Sequence, residues 1–178
     1  MQFDNYKLRL ITKNDVHSFY KLIQNNLEKL EDTFAGTVSK TRTLEETKEF
    51  IDSALNKIVL KLYYPFVIIE KSSDNIIGLI DLKNINWDIP KTEIGYFIDS
   101  NYEGKGVSTR SLSAIVGYSF NELKMNKLFL RTTKSNIGSQ RVAEKNGFEK
   151  EGFIKKDYKT TNGEVVDLIY YGLIPNES

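Results

Sequence analysis

No cysteine occurs in the 178 residues of this chain. The absence excludes disulfide staples, zinc-thiolate sites and a cysteine nucleophile, and it fits a reducing compartment. Histidine is almost as scarce: His17 stands alone in an amphipathic segment, where a surface or packing role is expected of it. With no thiol and one imidazole the chain is short of the nitrogen and sulfur ligands that transition-metal sites favour, so no metal is expected. Charge of one sign is lacking too. The 25 Lys and Arg side chains nearly balance the 24 Asp and Glu, so bulk charge demands neither a nucleic-acid partner nor an anionic membrane. No apolar run approaches the roughly 20 residues that cross a bilayer, and the start, Met1-Gln2-Phe3-Asp4-Asn5, is polar. There is no repeat, linker or low-complexity tract. The expectation is a cytoplasmic protein folded as one domain over residues 1–178, with 40% hydrophobic residues to fill a core.

What is present is an alternation of strand-like and helix-like segments. Residues 6–11 read as a strand, and residues 12–15 supply capping groups for one helix that carries Val16, Phe19, Tyr20, Ile23, Leu27 and Leu30 at helical spacing. After a polar loop around Gly36, the capping-box signature Thr43-Leu44-Glu45-Glu46 starts a second amphipathic helix that ends near Lys61. The β-rich runs 65–70 and 76–82 flank Ser72-Ser73-Asp74-Asn75 and predict an antiparallel hairpin. A loop over 84–90 follows. It carries Trp87, a large aromatic that in a loop lines a cleft or an interface, or simply packs. Then come a strand containing Glu93, a glycine-rich turn, a helix with Leu112, Ile115, Val116, Phe120 and Leu123 inward, and a strand over 127–132. Such a strand-helix-strand unit makes its two strands parallel. A short helix over 139–145 ends at Asn146-Gly147, and Thr161-Asn162-Gly163-Glu164 marks a final hairpin. The class is α/β with a largely antiparallel sheet.

The glycine-rich turn runs Asp99-Ser100-Asn101-Tyr102-Glu103-Gly104-Lys105-Gly106-Val107-Ser108-Thr109. Closely spaced glycines at a strand-to-helix junction let successive N–H groups converge on an anion, reinforced by the positive end of the helix. A nucleotide P-loop would need glycine where Asp99 stands and a hydroxyl where Gly106 stands. The dinucleotide fingerprint would place its third glycine at Thr109. Two readings stay open at this point. One is a pyrophosphate held by the turn and the first helical turn, with Lys105 nearby and Ser108 and Thr109 donating hydroxyls; the other is a turn that only shapes the chain.

About thirty residues on comes Asn136-Ile137-Gly138-Ser139-Gln140-Arg141-Val142-Ala143-Glu144-Lys145-Asn146-Gly147-Phe148. Together with the glycine turn, Leu8-Arg9, the run Lys91-Thr92-Glu93-Ile94-Gly95-Tyr96 and the strand near 167–171, it resembles the GNAT (GCN5-related N-acetyltransferase) family. Within that family it looks most like the RimJ/RimL branch, and the resemblance covers most of the chain. One departure stands out: Asn101 occupies the position where the family's turn usually carries Arg or Gln. The glycine spacing is kept, and backbone amides do most of the anion binding.

The resemblance implies the GNAT fold, a mixed, mostly antiparallel sheet whose central parallel strand pair is splayed around acetyl-CoA, with helices on both faces. It implies an enzyme that moves acetyl from acetyl-CoA directly to a primary amine, without an acyl-enzyme. Backbone groups around Phe97, Ile98 and Asp99 would pair with the pantetheine arm. Gly104, Lys105, Gly106, Val107, Ser108 and Thr109 would hold the pyrophosphate, and Asn136 would hydrogen-bond the pantetheine. Ser139 matches the position near the sulfur, where a hydroxyl stabilises or protonates the departing thiolate. Asn136 and Ser139 equally suit capping of the short helix. Arg141 and Lys145 would reach the 3′-phosphoadenosine end. Glu93 is the first candidate to collect the amine proton and Asp81 the second, while Tyr158, Tyr170 and Tyr171 are further hydroxyls placed in strands. The branch implies a homodimer and an acceptor such as the N-terminal α-amine of a ribosomal protein. Related enzymes acetylate antibiotics, polyamines or aminoacyl-nucleotide toxins, and a non-catalytic CoA-binding module is the alternative of another class. The acceptor would be selected by the two early helices, the Gly36 loop, the Trp87 loop and the final hairpin.

Overall fold

The run from Tyr64 to Ile69 is apolar at every position, the pattern of a strand covered on both faces. The computed structural model describes residues 1–175. In it this run forms β3 (Tyr64–Glu70), buried at every position but the last. Around it lie β1 (Gln2–Phe3), β2 (Tyr6–Leu10), β4 (Ile76–Asn86), β5 (Lys91–Ile98), β6 (Lys127–Thr132), β7 (Glu149–Lys159) and β8 (Val165–Leu173). They make one eight-stranded sheet in the order β1-β2-β3-β4-β5-β6-β8-β7. Every pairing is antiparallel except β5 with β6. That parallel ladder holds only three register pairs, Lys91 with Lys127, Thr92 with Leu128 and Glu93 with Phe129. Beyond Glu93 and Phe129 the two strands part, and the sheet opens as a wedge.

Helices cover both faces. Phe19 and Ile23 from α1 (Val16–Asn25), Leu30 from α2 (Leu27–Thr33) and Ile51 from α4 (Leu44–Val59) pack on Val67, Leu79 and Phe97 on one face. On the other, Leu112 and Ile115 from α5 (Val107–Asn121) and Ala143 from α6 (Ile137–Lys145) pack on Ile68, Ile80 and Ile94. Each large apolar side chain so buried contributes about 1.5–3 kcal/mol. Among the described residues no helix is long and apolar enough to cross a membrane.

The early segment differs from its sequence pattern in two places. The single helix expected to carry both Val16 and Leu30 is broken at Asn26 (φ −122°, ψ 16°), whose side chain turns inward instead of continuing the apolar stripe. The loop around Gly36 winds into a one-turn helix, α3 (Ala35–Val38). The start of α4 is as its capping box predicts: Thr43 Oγ1 accepts the Glu46 N–H at 3.2 Å and the Glu46 carboxylate accepts the Thr43 N–H at 2.9 Å. β4 runs on to Asn86, which shrinks the next connection to a turn over 87–90. There the Trp87 indole donates to the Lys61 carbonyl at 2.9 Å, packing against the end of α4. His17 is exposed.

Candidate active site

β5 ends in a short 3-10 turn, Ser100–Tyr102, that two hydrogen-bonding side chains build, half-buried Asp99 and buried Asn26. The Asp99 carboxylate accepts the N–H and the side-chain amide of Asn101, each at 2.9 Å, and the Asn26 amide at 3.0 Å. Asn26 in turn accepts the N–H and hydroxyl of Ser100, both at 3.0 Å. Asn101 therefore folds back into the turn it belongs to. Gly104 and Gly106 follow in left-handed conformations, φ +71° and +74°, where a Cβ is strained. Gly106 is the N-cap of α5 and has no side chain to cap it. The N–H groups of Val107, Ser108 and Thr109 thus have no acceptor within the helix, at its positive end.

A cavity of about 680 Å³ begins at this turn. On the α5–α6 face its walls include Tyr96, Ser108, Asn136, Ser139 and Lys145; on the opposite face they include Lys29, Phe34, Lys83, Glu93 and Tyr158. The two halves meet where β5 and β6 separate, so the space passes through the sheet. At the first turn of α6, Asn136 Oδ1 accepts the Ser139 N–H at 3.0 Å, the capping job its residue type suits. The Tyr96 hydroxyl lies 3.0 Å from Ser139 Oγ. Phe97 and Ile98 line the cavity and pair with β4 along their other edge. In the far chamber Phe34 meets Phe97 edge to face at 5.0 Å, and the Lys83 ammonium stands 5.5 Å above the Phe34 ring. The Tyr158 hydroxyl accepts the Ala35 N–H at 2.8 Å, and Thr161 on the final hairpin donates its N–H and hydroxyl to the Glu31 carbonyl. Hairpin and α2 together roof the chamber.

Several residues named from the sequence lie elsewhere. The Asp99 N–H is taken by the Ile77 carbonyl at 2.7 Å and its carbonyl by the Tyr102 N–H at 2.8 Å, so its backbone serves the turn. Lys105 sits 5.1 Å over the Tyr102 ring and, like exposed Arg141, is not part of the cavity wall. Asp81 is buried outside the cavity, accepting the Tyr63 hydroxyl at 2.9 Å and the Gly95 N–H at 3.1 Å; burial pushes its carboxyl above the usual range. Tyr170 stacks on Phe129, and the Tyr171 hydroxyl donates to Glu144.

Glu93 is in the wall, but its oxygens are engaged. Oε2 accepts from Asn84 at 2.7 Å and from Arg131 Nη2 at 3.0 Å; Oε1 accepts from Arg131 Nε at 3.2 Å, with Lys83 Nζ at 3.8 Å. Arg131 also reaches Asp157 at 2.7 Å. Burial opposes the charge on Arg131, yet the two carboxylates more than offset it and hold its guanidinium above its ordinary value. Glu93 stands at the last register pair before the strands part, so the ion pair ties the wedge at its apex. The geometry gives Glu93 the work of an anchor between the two strands.

Tyr96, Arg131, Lys83 and Asn26 carry this site and were not singled out from the sequence. Signals existed for two of them. Tyr96 belongs to the same strand run as Glu93, and Asn26 is a polar residue set four positions after Leu22 and four before Leu30, on an apolar helix face.

A family model described as an acetyltransferase (GNAT) domain matches residues 6–149. YdaF of Bacillus subtilis (strain 168), named as a candidate ribosomal N-acetyltransferase, is 31% identical over 182 residues, spanning 98% of this chain and 93% of that one. A spermidine N(1)-acetyltransferase of Vibrio cholerae is 26% identical over 163 residues, spanning 90% of this chain and 88% of that one. Among solved structures, RimL, a ribosomal L7/L12 alpha-N-protein acetyltransferase in complex with coenzyme A, superposes with a TM-score of 0.90 over 99% of this chain and 97% of that chain. At 20% identity that likeness shows the fold.

Proposed function

The chain belongs to the GNAT family of N-acetyltransferases, and from that membership we propose that it acetylates the α-amine of a peptide or protein N-terminus, with acetyl-CoA as donor. One observation carries the reading: a single cavity joins the anion-binding turn at Gly104–Thr109, on one face of the sheet, to a chamber beneath α2 on the other. The three N–H groups at the start of α5 and the hydroxyls of Ser108 and Thr109 fit a pyrophosphate, and the β5 edge freed at Phe97 and Ile98 fits an extended amide-bearing arm. Lys145 and Asn136 add polar wall on the same side. When bound, acetyl-CoA supplies the thioester, whose C–S bond breaks as the amine nitrogen bonds to the acetyl carbon. Ser139 donates a hydrogen bond toward the departing sulfur. Lys105 and Arg141 contribute only positive charge at a distance. The amine enters neutral from the α2 side and releases its proton to water, while Glu93 keeps the apex of the wedge in place.

A peptide N-terminus is preferred to a polyamine because YdaF, the relative that spans 98% of the chain, is named for ribosomal N-acetylation; the cavity itself is close to balanced in charge, Lys29, Lys83 and Arg131 standing with Asp32, Glu93 and Glu103. The absence of cysteine supports a cytoplasmic setting for a one-domain enzyme. A homodimer is supported by the edge strand β7, which presents unpaired backbone together with exposed Phe153 and Ile154. The test follows free thiol from acetyl-CoA with peptides of varied N-terminal residue and with spermidine. Peptides are expected to be turned over with a kcat/KM at least about tenfold above spermidine, a difference of about 1.4 kcal/mol. CoA binding without thiol release for any amine would instead identify a binding module.

A further inference from the structure

Across the gap from β5, the Tyr96 phenol reaches the first turn of α6. Its hydroxyl donates to the Ser139 carbonyl at 3.1 Å and lies 3.0 Å from Ser139 Oγ. A phenol has one proton and a carbonyl has none. While the Tyr96 proton rests on the Ser139 carbonyl, the Oγ contact requires the Ser139 hydroxyl to donate to the Tyr96 oxygen. If the Tyr96 proton turns to Oγ instead, the Ser139 hydrogen is released to point elsewhere. Both side chains line the cavity at the place where the strands part.

We propose that Tyr96 is a positioning residue that aims the Ser139 hydroxyl hydrogen at the departing sulfur by moving its own hydrogen bond from the Ser139 carbonyl to Ser139 Oγ. The inference rests on the acetyl-transfer reading given above and adds to it the residue that orients its hydroxyl. Without Tyr96 the serine hydroxyl rotates among its staggered positions, and only some of these face the sulfur. Burial pushes the Tyr96 phenol up to about 12, so it keeps the proton this exchange needs at neutral pH. No proton changes owner within the pair. The sulfur keeps the electron pair of the broken C–S bond, Ser139 donates a hydrogen bond to it, and the proton lost by the amine goes to water.

The experiment titrates CoA bound to the wild-type protein, Tyr96→Phe, Ser139→Ala and the double variant, reading the thiolate by its ultraviolet absorbance. The wild type is expected to hold the bound thiol lowest. Tyr96→Phe should shift it up by most of the amount that Ser139→Ala does, and the double variant should coincide with Ser139→Ala. In acetyl transfer, Tyr96→Phe should lose about tenfold in kcat while KM for acetyl-CoA stays within about twofold. A Tyr96→Phe titration that overlays the wild type, effects that add in the double variant, or no shift with Ser139→Ala overturns the assignment and leaves the acetyl-transfer reading standing. Calorimetry showing no CoA binding by the wild type removes both.

Discussion

Between β5 and β6, Glu93 receives two hydrogen bonds from Arg131 and one from Asn84. In Glu93→Gln the guanidinium loses its charge partner within the wedge, and hydrogen bonds to charged groups are worth about 1.5–3 kcal/mol. Urea unfolding is expected to show a loss of that size. The pH dependence of thiol release should keep its rise toward alkaline pH, because the amine sheds its proton to water; a flattened profile would return the role of base to Glu93. Little of this was legible from the chain. That a strand glutamate faces one side of a sheet follows from its period of two, but its partner comes from position 131, across a parallel pairing that only the crossover of α5 creates.

The elements whose signals are local read well. The Thr43–Glu46 capping box, the Ser72–Asn75 reversal and the Asn162-Gly163 hairpin are decided within four residues, and each stands where its chemistry places it. The glycine turn is of the same kind, and its two glycines are not equivalent. A Cβ on Gly104 would meet open space, whereas one on Gly106 would lie 2.8 Å from Arg110 Nη1. Arg110 is itself bonded to the Lys105 carbonyl at 2.8 Å and to Asp4 at 2.7 Å. Gly104→Ala should therefore lose only the backbone term of about 1–2 kcal/mol. Gly106→Ala should also displace Arg110 and weaken CoA binding about tenfold further, or about 1.4 kcal/mol, by calorimetric titration. The helix break at Asn26 was hidden for the opposite reason: its partners Asp99 and Ser100 lie more than seventy residues away.

At the scale of the whole molecule, Asn26 joins the helices over the chamber to the turn at the other end of the cavity. Its four hydrogen bonds tie Leu22 on α1 to Asp99 and Ser100 after β5, although its side chain touches neither half of the cavity. Asn26→Ala should cost about 2–4 kcal/mol of stability, at about 1 kcal/mol for each bond lost. It should also raise both the Kd for CoA and the KM for the acceptor, a double effect that a purely local packing defect in α1 would not give. The passage through the sheet has a kinetic consequence. Its walls belong to opposite faces of the sheet, so on the proposed reading donor and acceptor lie on different sides and neither stands in the other's way. On that reading spent carrier would be exchanged for fresh donor while the acceptor stays in place, and the order in which the two arrive would be left to their concentrations.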